Sequence, residues 1–118
     1  MSDNRIKLIA ALEALPEWDA HNDRSTPAST PAVKVFLPVG SATWFLTDKD
    51  SSEPDEIRYF GLCDLGLGFP ELGWVDREGL LGIEVMGLGV ELDEYTQNVT
   101  LGTGYLYCGL EVPSWMPA

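Results

Sequence analysis

The chain has a single histidine, two cysteines and seven basic side chains in 118 residues. It also lacks a continuous apolar run of the ~18 residues that a membrane-spanning helix needs. Each shortage excludes something. With His21 alone, a Ser-His-Asp or Cys-His catalytic pair has to be assembled across the fold around that one residue. Cys63 and Cys108 are 45 positions apart and neither has a second Cys or a His nearby, which is not a metal-ligand spacing. No apolar signal segment precedes them, so the chain is expected to be cytoplasmic, with both thiols reduced and packed as small hydrophobes. The shortage of Lys and Arg excludes a basic footprint, and with it direct binding of nucleic acid or of an anionic membrane.

What remains is acidic and apolar. Nineteen acids against seven bases give a net charge of -12, and the apolar share is 45%. Residues 1–59 hold ten acids and six bases; residues 60–118 hold nine acids and one base, Arg77. That surplus keeps the protein soluble, and it also attracts basic partners over long range. A chain of this length and apolar content buries a core as one domain without staples. The segments divide into a helix over 1–16, a loop over 17–32, a sheet region over 33–110 and a tail over 111–118.

In the first segment Ser2 or Asp3 is placed to cap a helix, Leu8, Leu12 and Leu15 share one face, and Pro16 ends it. The loop that follows contains Asp19-Ala-His21-Asn-Asp23, the one place where a His stands beside carboxylates. Nothing between Pro16 and Pro27 enforces ligand geometry there, so the segment reads as solvated. Strands are expected at Val33–Leu37, at Ala42–Thr47 with Trp44 in the core, at Ile57–Asp64 and at Pro70–Val75. The last two flank a glycine-governed turn, and Phe60, Leu62, Leu65, Leu67, Phe69, Leu72 and Trp74 are its expected core residues. Asp76-Arg-Glu-Gly-Leu-Leu81 can cap one helical turn. Val90–Tyr95 alternates as an edge strand, with Glu91 and Asp93 facing water. Val99–Cys108 reads as a last strand bent at Gly102 and Gly104. In the tail, Trp115 either folds back onto the core or is an exposed contact residue. The fold class is α+β: an N-terminal helix packed on an antiparallel sheet of about five strands.

The motifs that carry chemistry are incomplete. Asp48, Asp50 and Ser52 begin like a calcium loop, but Glu53 replaces the turn glycine, Pro54 intrudes and Tyr59 stands where the closing acid belongs. Gly66-Leu-Gly68 and Gly87-Leu-Gly89 lack the third glycine of a dinucleotide loop, with Glu71 and Leu92 in its place, and no Lys follows to meet phosphate. No metal and no cofactor is therefore expected. Carboxylate pairs such as Glu71 with Asp76 are uninformative in so acidic a chain.

The runs Lys34-Val-Phe-Leu-Pro38, Thr43-Trp-Phe-Leu-Thr47 and Phe60-Gly-Leu-Cys-Asp-Leu-Gly-Leu-Gly-Phe-Pro-Glu-Leu-Gly73 resemble the family named domain of unknown function 2958. The resemblance spans about residues 33–95 and does not extend past Asn98. Relatives of this kind carry a serine-capped helix where this chain has Asp76-Arg-Glu-Gly79, and a Glu-Arg-Asp run where it has Glu91-Leu-Asp93. The resemblance implies an origin among bacterial plasmids, conjugative elements and phages, and it implies no activity.

Charge, size and implied origin together give the functional expectation: a non-catalytic acidic protein of a mobile element that occupies a basic, nucleic-acid-binding host protein, as anti-CRISPR and anti-restriction DNA mimics do. Regularly placed carboxylates would replace phosphates in an Arg/Lys groove. The residues expected to carry it are Asp48, Asp50, Glu53, Asp55 and Glu56 in one loop, and Glu91, Asp93 and Glu94 in another stretch. Two alternatives stand beside it: a small enzyme with a pocket around Asp64, Glu71 and His21, and a housekeeping plasmid module with no inhibitory role. An apolar interface around Trp115 or Tyr105 is the contrary reading of the binding surface.

Overall fold

The computed structural model describes residues 2–18, 27–96 and 98–118. Helix α1 spans Asp3–Glu13, and Ser2 caps it by accepting a hydrogen bond from the Arg5 amide. Four strands follow in meander order: β1 Val33–Phe36, β2 Thr43–Asp50, β3 Arg58–Asp64 and β4 Glu71–Asp76. A short helix α2, Arg77–Leu81, begins where the Asp76 carboxylate accepts from the Gly79 amide. A small hairpin pairs β5 Glu84–Val85 with β6 Leu88–Gly89, turning through Met86 and Gly87 at φ 54° and 80°. Two further residues, Glu91–Leu92, form β7, and helix α3 spans Leu101–Tyr107.

The main sheet has the order β4-β3-β2-β1-β7 and is antiparallel throughout. It is the expected α+β arrangement, with a helix on each face of the sheet. On β2, Trp44 and Leu46 point to the face covered by α1 and α2, where they join Leu8, Leu12, Leu15, Tyr59, Leu80 and Val90. Phe45 points the other way and packs with Leu62, Leu101, Tyr105 and Met116 under α3 and the tail. Trp44 is thus in the core as expected, and the side chains of β2 alternate between the two faces up to a bulge between Leu46 and Asp48.

Four expectations are corrected. Residues 99–108 are not a strand: Thr100 and Thr103 form a reciprocal capping box that starts α3, and the fifth strand of the main sheet is β7, inside the expected Val90–Tyr95 edge strand. Gly104 is not a bend, because a Cβ there would stand 2.8 Å from a ring carbon of Phe45, so the glycine lets the helix lie against the sheet. Leu65, Leu67 and Phe69 are not core; they are 57%, 75% and 80% exposed in the β3–β4 turn, where Gly66 and Gly68 adopt φ 78° and 86°. The loop after α1 is not wholly solvated. Glu17 bridges to Lys49 beside β2, its carboxylate accepts from the Ser51 hydroxyl and amide, and the Trp18 amide donates to the Lys49 carbonyl at 2.7 Å. The Asp19–Asp23 cluster lies outside the described residues. In the tail Trp115 is 64% exposed, while Met116 is the residue that enters the core.

Candidate interaction surface

The structure separates the eight candidate acids. Asp48, Asp50, Glu53, Asp55 and Glu56 lie at and beyond the end of β2, in the turn to β3; Glu91, Asp93 and Glu94 lie at the opposite edge of the sheet, on and after β7. They also differ in what their carboxylates already do.

Asp93 was expected to face water, and it does not. Its Oδ2 lies 2.9 Å from Lys34 Nζ, with side-chain exposures of 14% and 9% for Asp93 and Lys34. Burial acts against its charge, but hydrogen bonds from the Thr96 hydroxyl, from Lys34 and from the Tyr95 and Thr96 amides outweigh it. They hold the carboxyl down at about 2. Glu91 is half-buried and pairs with Phe36, on the face opposite Val90 and Leu92. Glu94 accepts from Lys7 at 2.8 Å and from Asn4 at 2.9 Å, which lowers its pKa and ties the β7 edge to α1. Asn4 clamps the same edge through the Leu92 backbone, donating to its carbonyl and accepting from its amide. Most of the second acidic stretch thus holds the fold together.

The β2–β3 turn is different. Asp50 is engaged: hydrogen bonds from the Ser52 hydroxyl and amide, then from Arg58, hold its pKa down. Asp48 accepts from the Thr47 hydroxyl at 2.6 Å. Glu53, Asp55 and Glu56 are exposed, and their carboxylates have no hydrogen-bond or ion-pair partner among the described residues. The register of β3 and β4 pairs Arg58 with Asp76, and the Arg77 amide donates to the Ile57 carbonyl at 2.8 Å. These contacts bring the start of α2 against the turn.

Between turn and helix lies an open groove of about 850 Å³, lined by Asp50, Ser52, Glu53, Pro54, Asp55, Glu56, Ile57, Arg58, Asp76, Arg77 and Glu78. Its six carboxylates face two guanidinium groups. Both cations have other contacts: Arg58 lies 4.3 Å over the Trp74 ring and pairs with Asp50, and Arg77 Nη2 lies 3.7 Å from Glu13 Oε1. Asp76 and Glu78 were missed at the sequence level as members of this surface. The Asp76 cap was the available signal, since capping a turn directly after β4 returns the chain to the β3 end of the sheet.

Of the expected pocket residues, His21 lies outside the described residues, and Asp64 and Glu71 stand at the two ends of the β3–β4 turn, where Glu71 pairs with Cys63. Asp64 accepts from the Gly66 amide at 2.9 Å inside the β3–β4 turn, and Glu71 is exposed on edge strand β4. Cys63 and Cys108 pack against the clusters on opposite faces of the sheet. Burial pushes the Cys63 thiol up to about 11; burial and the nearby Asp64 carboxylate do the same to Cys108. Neither thiol is an activated nucleophile. Among the described residues no three His, Cys, Asp or Glu side chains converge to hold a metal ion. No helix of those residues is long and apolar enough to cross a membrane.

The family model described as "Protein of unknown function (DUF2958)" matches residues 3–108. The chain belongs to this family. The match reaches well beyond the span of the sequence resemblance at both ends, taking in α1 and α3, so the segment from Asn98 to Cys108 is part of the DUF2958 unit. No curated protein and no solved structure matches the chain.

Proposed function

We propose that this DUF2958 protein is a non-catalytic acidic interaction protein that docks the β2–β3 groove onto a basic, nucleic-acid-binding protein and competes there with nucleic acid. The observation that carries the reading is the set of exposed carboxylates, Glu53, Asp55, Glu56 and Glu78, that have no hydrogen-bond or ion-pair partner among the described residues, around a groove whose two arginines are already engaged. Such groups meet incoming Arg or Lys side chains without first breaking internal hydrogen bonds. The net charge of -12 adds long-range steering of a basic partner. The reading takes the partner to be a host protein met by a mobile element, the setting that the family resemblance implies.

The test is capture of partners from a bacterial lysate on the wild-type chain and on a variant carrying Glu53→Gln, Asp55→Asn, Glu56→Gln and Glu78→Gln. A nucleic-acid-binding protein should be held by the wild type, released by salt, displaced by duplex DNA and lost from the variant. A partner held equally by both, and indifferent to DNA, overturns the proposal.

A further inference from the structure

Lys34 is only 8% exposed although it is a charged residue of the four-residue strand β1. Its cross-strand partner is Phe45, so its side chain lies on the α3 face beside that ring. Nζ is 2.9 Å from Asp93 Oδ2 and 3.8 Å from the centre of the Tyr107 ring. Phe45 and Tyr107 meet edge to face at 5.6 Å. Beside them opens a second cavity, of about 380 Å³, whose walls include Lys34, Phe45, Val99, Thr103, Leu106 and Tyr107. The volume lies near the lower end of the range for small-molecule sites.

We propose that this cavity binds a small, uncharged aromatic molecule bearing one hydrogen-bond acceptor, with its ring against Phe45 and Tyr107 and its acceptor on the Lys34 ammonium. The site is distinct from the acidic groove and does not depend on it. Three features set the ligand's chemistry. An ammonium has three N–H donors; the Asp93 contact uses one, and the Tyr107 face attracts the charge without offering a lone pair in the plane of a carbonyl. Thr103 is not a competing donor, because its hydroxyl donates to the Thr100 carbonyl at 2.8 Å within the helix cap. Charge is already balanced by the Lys34–Asp93 pair, so an anionic or cationic ligand adds an uncompensated charge in a largely apolar cavity.

The experiment titrates the ¹⁵N-labelled full chain with four probes: benzamide, toluene, benzoate and benzylammonium. Benzamide should shift the Val99, Thr103 and Tyr107 amides saturably, with a dissociation constant on the order of millimolar for so few heavy atoms. The other three should bind at least about tenfold more weakly, a difference of about 1.4 kcal/mol. Lys34→Met combined with Asp93→Asn removes the pair while keeping a side-chain oxygen for the Tyr95 and Thr96 amides; benzamide should then lose its advantage over toluene. Leu106→Trp, at a position 62% exposed on α3, should block the cavity if the double variant does not fold. No saturable shift with benzamide, equal or tighter binding of benzoate or toluene, or benzamide shifts unchanged by Leu106→Trp would each overturn the proposal.

Discussion

Asp93 is the residue through which pH acts most directly on this fold. Its carboxyl titrates at about 2 in the folded chain, below the ordinary ~3.9 of an unfolded Asp. The unfolded state therefore binds more protons in that interval. The stability Asp93 contributes is fully present above about pH 5 and is lost as pH falls through about 4 towards 2. Asp50 and Glu94 are lowered as well, so the wild-type acid transition is a sum, and a variant isolates one contribution. Asp93→Asn should cost about 3 kcal/mol at neutral pH, because it leaves the Lys34 ammonium nearly buried without its counter-charge. It should also flatten the dependence of the urea midpoint on pH between about 5 and 2. Parallel pH curves for wild type and variant would show that the pair does not contribute this term. The sequence could not reveal this role, since in an alternating Val90–Tyr95 strand Asp93 takes an outward position. The chain leaves the strand after Leu92, and the Tyr95 and Thr96 amides wrap around the carboxylate instead.

At the scale of elements, α3 depends on a glycine in contact with an aromatic ring. Adding a methyl group at Gly104 places it 2.8 and 3.1 Å from Phe45 ring carbons, in a part of the core where Phe45 is 1% exposed. Gly104→Ala gains roughly 1 kcal/mol of helix propensity and should still destabilise by about 1–3 kcal/mol through overpacking. Chemical denaturation reads the sign, and a stabilised variant would mean that α3 moves off the sheet freely. Leu12→Ala, at 1% exposure on α1, should cost about 2–5 kcal/mol and tests the packing on the other face in the same way. The two helices were unequally legible for the same physical reason. α1 has a capping serine and leucines at helical spacing, so its local signals agree with its packing. In α3 the Thr100–Thr103 capping box is a local start signal, but Gly102, Gly104, Tyr105 and Tyr107 favour other conformations, and its small residues lie close against Ala28 and Phe45. The β3–β4 hairpin was legible in its strands and misread in its turn. Leu65, Leu67 and Phe69 are apolar and were expected in the core, but they lie in the turn itself, where Gly66 and Gly68 take left-handed angles and these side chains stand in solvent.

For the whole molecule, the question is whether the acidic surplus acts as one diffuse field or through a place. The candidate acids were readable as residues, but their division into structural and available groups was not, because it depends on which cation each one meets in space. Reversing Glu91, Asp93 and Glu94 together cannot answer the question, since Asp93→Lys sets a second ammonium against Lys34 and Glu94→Lys breaks the contact to Lys7. Reversing Glu53, Asp55 and Glu56 to Lys can, because these side chains are exposed and have no internal partner among the described residues. The change takes the net charge from -12 to -6, two units at each of three positions. Glu71→Lys, Glu84→Lys and Glu111→Lys reach the same net charge from exposed positions outside the groove. Both variants should keep the wild-type melting behaviour. If the groove is the docking surface, the first should weaken partner binding by on the order of 1 kcal/mol per pair lost, while the second changes mainly the association rate. Raising the salt should weaken wild-type binding steeply, since exposed charges are screened over about 10 Å at ~0.1 M. Equal losses in both variants would point to the diffuse field. No loss in either, together with binding that survives high salt, would move the interface to the exposed apolar turn at Leu65, Leu67 and Phe69 or to Trp115. Tyr105, at 6% exposure, is too deep in the core to serve as that contact.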